Sequence, residues 1–395
     1  MDDFSGHLGD DFLNGAKVLA RTLASEVVNI ENLRQLTPAI VSALVEGGFY
    51  KMLLPQSLGG AELSVFSFMN VIEEIAQEDA STAWCLAQCA TCAMSAAYLE
   101  RDTAMEIFGP ADSIIAWGPF APAEANIVSG GYRVSGSWNF ASGGRQAKWL
   151  GGQCNILDTN GDIVRLSNGA PVVRMMLFHR DEVVMSDTWK VMGLKGTGSD
   201  TYSVKNLFVP DRFSVARDDP SERRETGTLY RFSTSNVYSF AFAAVALGTS
   251  RRMLDDVIKL AATKKPGGTN SALRDNNVVQ SNIGRSEACW RAARKYLYST
   301  AKELWEQSSH GQPLSIDQKI ELRLSSAWAI HQASSVADVV YHMAGSTAVF
   351  ENNSFERRFR DIHTVTQQIQ GRQSHYENVG QVLLGLEPDA VMFTT

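Results

Sequence analysis

A chain of 395 residues, 44% hydrophobic and 20% charged, is globular in composition and too long for one simple core, so two or three subdomains around shared interfaces are expected. Its 36 basic and 43 acidic residues leave a net charge of -7, which argues against nucleic acid as a partner. No apolar run approaches the ~20 residues of a membrane span, and the acidic opening MDDFSGHLGDDFLNG lacks the basic flank and apolar core of a secretory leader, so a cytoplasmic protein without a membrane anchor is expected.

Residues 1–110 read as a helical domain. LTPAIVSALVEGGFYKMLLP is amphipathic and stops at Gly-Gly and Pro55, and the stretch from Ser64 to Leu99 has the pattern of one long helix. Cys85, Cys89 and Cys92 fall at i, i+4 and i+7 of that stretch. No nearby histidine completes a zinc set with them, so buried free thiols are expected. Residues 111–222 change to short β-branched and aromatic runs between turn residues: IVSGGYRVSGSWNFASGG, PVVRMMLFHR, EVVMSDTW and TYSVKNLFVP. SGGYRV and DTNGD carry hairpin signals, and a β-barrel or sandwich domain is predicted. The glycine-rich KGTGS (Lys195 to Ser199) lacks the spacing of a phosphate loop and reads as a turn of this domain. Residues 223–395 return to helix, and four long helical stretches predict a bundle, the last of them running unbroken from Phe359 to Gly385. The class is therefore α+β, with a concave site expected where the three domains meet. No G-x-G-x-x-G follows a strand, so no nicotinamide domain is expected within the chain.

Four blocks, in order and together spanning nearly the whole chain, resemble the acyl-CoA dehydrogenase fold. They are GGFYKMLLPQSLGG with VIEEIAQEDASTAW, then GGYRVSGSWNFASGGRQAKWL, WKVMGLKGTGSDTYSVKNLFVP and ALRDNNVVQSNIG. The resemblance implies a bound flavin and a homotetramer or homodimer. Many dehydrogenases of the fold carry a glutamate base shortly after an arginine-aspartate pair. Here Arg360-Asp361 is followed by TQQIQG, and Gln370 stands where the glutamate would be. An amide accepts no proton near neutral pH, so it is no general base.

The WNFASG strand, Trp84 and a histidine after the Arg-Asp pair resemble instead the two-component (group D) flavin-dependent monooxygenases of the same fold. That branch implies reduced flavin (FMNH2 or FADH2) delivered by a separate NAD(P)H-dependent flavin reductase. O2 then forms a C4a-hydroperoxyflavin that hydroxylates an aromatic, phenolic or indolic, small molecule. The alternative is an acyl-CoA dehydrogenase-type enzyme oxidising an acyl thioester with its base elsewhere, for example Glu287 or Glu303. A flavin-fold protein that binds a ligand without turnover is a third reading.

The resemblance also nominates residues. Ser142 is placed at flavin N5, where its hydroxyl accepts from N5–H, with Phe140 on the same strand face against the ring. His363 is placed at the peroxide or the substrate, with His375 as the alternative, since imidazole both donates and accepts near neutral pH. In a continuous helix His363, Gln367 and Gln370 share one face; Gln367 is assigned to the substrate and Gln370 to the cofactor. Arg274 and Gln280 match positions that reach the flavin phosphate, and Trp117 lies in a loop beside the flavin. Trp84, Phe120 and Tyr238 are expected to line the substrate pocket.

Overall fold

The computed structural model of the protein describes residues 2–119, 121–309 and 314–389. The first part is helical: α1 (Asp2–Leu33), α2 (Pro38–Glu46), α3 (Val65–Glu78), α4 (Ala80–Cys92) and α5 (Arg101–Phe108). Proline at the first turn opens α2, and Gly48 at φ 67 lets the chain leave it. The stretch predicted as one helix is two. Asp79 adopts an extended conformation (φ -145, ψ 114), and its carboxylate accepts from the Thr82 amide and hydroxyl, both at 2.7 Å. An aspartate three residues before a threonine is an N-cap signal, and here it outweighs the helical periodicity on either side. All 13 residues of α4 are buried, which makes it the central helix of the molecule.

The middle part is one mixed eight-stranded sheet: β1 (Ile115–Trp117), β2 (Glu124–Val128), β3 (Gly131–Ala141), β4 (Trp149–Leu157), β5 (Val173–His179), β6 (Val184–Ser186), β7 (Asp200–Pro210) and β8 (Ser214–Val215). The order is β6-β7-β3-β2-β4-β5-β8, and β1 runs parallel to β4. The predicted SGGYRV turn closes a two-residue hairpin, with Val128 opposite Gly131 and Gly130 at φ 76. Where β3 pairs with β7 the register shifts between Trp138 and Ala141, a bulge that leaves Phe140 at φ 64. Trp138 stacks on Tyr202 at 5.3 Å under this sheet, both fully buried.

The last part holds α6 (Thr234–Thr263), α7 (Asn277–Ser308), α8 (Ile316–Ala344), α9 (Ser354–Thr366) and α10 (Ser374–Leu383). Helix α6 packs on α3, α4 and α8, so the bundle joins the N-terminal helices in one apolar core. Backbones touch where α3 crosses α6: a Cβ at Gly248 would stand 2.2 Å from the Glu73 carbonyl oxygen. The predicted unbroken last helix is divided. Gln367 ends α9, and Gln368 caps the short turn Ile369–Gly371 by accepting from the Gln370 amide at 2.9 Å. His363, Gln367 and Gln370 therefore do not form one helix face. None of the helices among the described residues is long and apolar enough to cross a membrane.

Candidate active site

The chemistry-bearing side chains gather on one side of α4. Trp84 and Gln88, one turn apart, point from it toward the ends of β1 and β3, the turn Lys195–Thr197 before β7, and the first turns of α6. Trp84 Nε1 donates to Ser142 Oγ at 3.0 Å, and its ring stacks on Phe242 at 3.8 Å with 10° between planes. Phe242 lies parallel to Tyr238 at 5.5 Å, giving a row of three rings. Ser142 Oγ lies 2.7 Å from Ser199 Oγ, which lies 2.7 Å from Thr197 Oγ1.

Gln88 is fixed by partners whose roles are unambiguous. Its Nε2 donates to the Trp117 carbonyl at 3.1 Å and to Tyr238 Oη at 3.0 Å. A carbonyl only accepts, so the nitrogen must face it, and the amide turns its oxygen elsewhere. Trp117 follows as the end of β1, with the Arg217 guanidinium 5.4 Å from its ring. The following Gly118 is where the loop presses on the sheet: a Cβ there would lie 1.9 Å from the Asn139 carbonyl oxygen. The Gly118 amide donates to Tyr202 Oη at 3.1 Å, and Tyr202 donates in turn to the Gly151 carbonyl.

The three thiols of α4 back this wall. Cys85 and Cys89 approach the Thr197 and Ser142 carbonyls at 3.6 and 3.9 Å, and Cys92 contacts Tyr238 Oη at 3.3 Å. Burial pushes the Cys92 thiol up to about 12, and the other two also rise through burial. All five cysteines are free, and among the described residues no group of three or more His, Cys, Asp or Glu could hold a metal.

The structure thus brings Trp84, Trp117, Ser142 and Tyr238 together, and adds Gln88, Thr197, Ser199 and Phe242. Among the described residues no carboxylate is a hydrogen-bond partner of any of these eight. Phe140 does not share a face with Ser142, because the bulge interrupts the strand alternation. It is 57% exposed and meets Trp189 edge-on at 6.0 Å. Phe120 lies outside the described residues. Arg274 and Gln280 are exposed at the start of α7, joined by a 2.8 Å bond from Gln280 Nε2 to the Arg274 carbonyl. Gln367 is exposed and Gln370 is buried.

The two histidines sit in the bundle. His363 Nε2 lies 2.9 Å from Asp338 Oδ1 on α8, and its ring meets Phe359 at 4.4 Å. His375 is 3% exposed and donates from Nε2 to the Ile369 carbonyl at 2.7 Å. Burial, then the nearby Arg323, push its pKa down to about 4, so it is neutral at pH 7. Asp361, a mere landmark in the sequence, is 2% exposed and accepts from the Leu194 amide at 2.6 Å. Burial raises its carboxyl to about 7. Glu287 is ion-paired to Arg251 at 2.7 Å and Arg291 at 2.6 Å, and these partners lower its pKa against its partial desolvation. Glu303 is exposed on α7. Neither fits a general base facing the cluster. Two surface depressions, about 400 Å³ beside Leu36 and Arg145 and about 380 Å³ beside Trp290 and Lys302, are lined by none of the residues nominated from the sequence.

Residues 15–101 match the family model described as acyl-CoA dehydrogenase, N-terminal domain, and residues 240–372 the one described as acyl-CoA dehydrogenase, C-terminal domain. Among characterised relatives, an indole-3-acetate monooxygenase of Pseudomonas putida is 29% identical over 97% of this chain and 95% of its own. The HsaA oxygenase subunit of a flavin-dependent monooxygenase from Rhodococcus jostii is 24% identical over 87% and 90%. Among solved structures, XiaF from Streptomyces sp. in complex with FADH2 and glycerol superposes with a TM-score of 0.89 at 22% identity, covering 98% of both chains. Butyryl-CoA dehydrogenase from Megasphaera elsdenii gives 0.79 at 17%, covering 97% of this chain and 99% of the other. At these identities the two superpositions speak for the fold.

Proposed function

The chain belongs to the acyl-CoA dehydrogenase family, and from that premise we propose that it is the oxygenase component of a two-component flavin-dependent monooxygenase hydroxylating a phenolic or indolic small molecule. The observation that carries this reading is the cluster around Ser142, made of hydroxyls, an indole N–H and aromatic rings, with no carboxylate among its partners. A dehydrogenase needs a base for an acidic C–H, whereas a hydroxylase needs a dry, aromatic-walled site with a few fixed hydrogen-bonding groups.

The residues present fit a flavin. Ser142 Oγ has one indole and one hydroxyl partner and retains a lone pair, and the Trp117-Gly118 segment runs flush against β3 beside it. When bound, reduced flavin supplies the two electrons with which O2 is divided, one oxygen atom going to the substrate and the other to water. Ser142, Trp117 and Gln370 are assigned to the ring system, and the exposed Arg274 and Gln280 to its phosphate. A bidentate guanidinium suits that group. Trp84, Tyr238, Phe120 and Gln367 are assigned to the substrate. The proton at the substrate goes to His363, whose ring is partly exposed and oriented by Asp338; His375, buried and held neutral, is the second candidate.

A separate NAD(P)H-dependent flavin reductase is the partner this activity requires, and the cytoplasm supplies its reductant. A homotetramer is proposed on family grounds, and it agrees with exposed apolar side chains on the bundle such as Trp328 and Leu384. The test is to load the protein with chemically reduced FMN or FAD, add an indolic or phenolic substrate and admit isotopically labelled O2. Mass spectrometry should find one labelled oxygen in the product. Reduction of the bound flavin by an acyl-CoA thioester, with no labelled product, would overturn the reading.

A further inference from the structure

The direction of the Ser142 proton follows from a chain of three hydroxyls. Thr197 Oγ1 lies 2.8 Å from the Leu194 carbonyl, a group that can only accept, so Thr197 donates there. Its proton committed, Thr197 can only accept across the 2.7 Å contact with Ser199. Ser199 has then used its own proton, and the 2.7 Å contact to Ser142 requires Ser142 to donate. Trp84 Nε1, which only donates, fills one lone pair of Ser142. Ser142 is left with one lone pair and no proton to give.

The chain is well anchored and dry. Ser142, Ser199 and Thr197 are 5%, 3% and 1% exposed, so water has little access to take over a partner. Leu194, at φ 50, is held by Asp361 on its amide, and its carbonyl also accepts from Trp189 Nε1 at 3.0 Å. Reversing the hydroxyls would set the lone pairs of Thr197 Oγ1 against that carbonyl.

We infer that Thr197 and Ser199 are positioning residues that lock Ser142 as an acceptor, so that the site selects flavin by redox state. Reduced flavin carries a hydrogen on N5 and oxidised flavin carries a bare lone pair there. An acceptor-only Ser142 bonds the first and opposes the second. This inference rests on the flavin assignment above, and it adds two residues that touch no ligand and act only through Ser142.

The experiment compares affinities without turnover, by anaerobic titration of the full chain with oxidised and with dithionite-reduced FMN and FAD. In Ser199→Ala the Ser142 hydroxyl can rotate and donate. The ratio of oxidised to reduced Kd should fall about tenfold, chiefly through tighter binding of the oxidised form, as one net hydrogen bond changes sides. Thr197→Val should move the ratio the same way, and Thr197→Ser should keep the wild-type ratio. Adding Ser199→Ala to Ser142→Ala should change nothing further. Equal losses for both forms in Ser199→Ala and Thr197→Val, or an unchanged ratio in a variant that melts like wild type, would overturn the lock and leave the flavin assignment standing. A wild-type chain that binds neither form would overturn both.

Discussion

At the scale of the residue, the site shows why hydrogen-bond partners decide more than residue type. On paper His363 is the candidate and His375 the alternative. In the structure one is aligned by Asp338 and the other is enclosed, donating to a carbonyl with its pKa pushed down. A His363→Asn variant keeps an amide for Asp338 but cannot relay a proton. It should bind reduced flavin like wild type while hydroxylation falls about 100-fold, the oxygen consumed appearing as hydrogen peroxide. The ratio of product to peroxide measures this, and unchanged coupling would remove His363 from the proposed chemistry. Ser142, Trp84, Trp117 and Tyr238 were legible from short motifs set in family order. Ser199 and Thr197 were not, because Ser199 lies 57 positions from Ser142 and its partnership is made only in space. The signal available was two hydroxyls flanking a glycine in KGTGS, which read only as a turn of the β domain.

At the scale of the element, the missed boundaries share one cause: a polar side chain that caps locally wins over an apolar pattern that continues. Asp79 divides α3 from α4 and so aims Trp84 and Gln88 at the sheet. Asp79→Ala removes the acceptor for the Thr82 amide and hydroxyl, and should cost about 1–2 kcal/mol, lowering the melting temperature by roughly 1–2.5 °C for a chain of this size. Calorimetry of the variant beside Thr82→Ala separates the cap from the hydroxyl contact. A melting temperature equal to wild type would show that packing of α4 alone sets the break. The Phe140 bulge is the strand counterpart. Period-two alternation held along β3 until the register shift, and only the pairing with β7 reveals that shift. The break at Gln367 was likewise hidden, since glutamine is a sound helix former and here becomes a cap through the neighbouring Gln368.

At the scale of the whole molecule, the order helices, sheet, helices was readable from composition alone. The way α9 reaches across to the sheet was not. Asp361 links that helix to Leu194, and with His375 it sets opposing pH dependences. Burial raises Asp361 from 3.8 to about 7, so the folded chain binds its proton more tightly and stability falls as pH rises through that window. Burial and Arg323 lower His375 from 6.5 to about 4, so the unfolded chain binds the extra proton and stability rises with pH between those values. In the overlap the two slopes oppose. His375→Asn should leave a melting temperature that declines from about pH 4.5 to 6.5, and Asp361→Asn, which still accepts from Leu194, one that climbs. Parallel profiles for the two variants would refute the assignment.

Oxygen chemistry on reduced flavin sheds hydrogen peroxide whenever it misfires, and the form of cysteine that peroxide attacks is the thiolate. Cys85, Cys89 and Cys92 lie on the helix beside Ser142, where that peroxide would appear under the proposed flavin assignment, yet burial keeps all three protonated, Cys85 and Cys89 facing carbonyls and Cys92 in contact with the Tyr238 hydroxyl. With the flavin against Ser142 as proposed, the helix beside the oxidant is lined with sulfur in its least oxidisable state, and its resistance to self-inflicted damage lasts as long as the core stays shut.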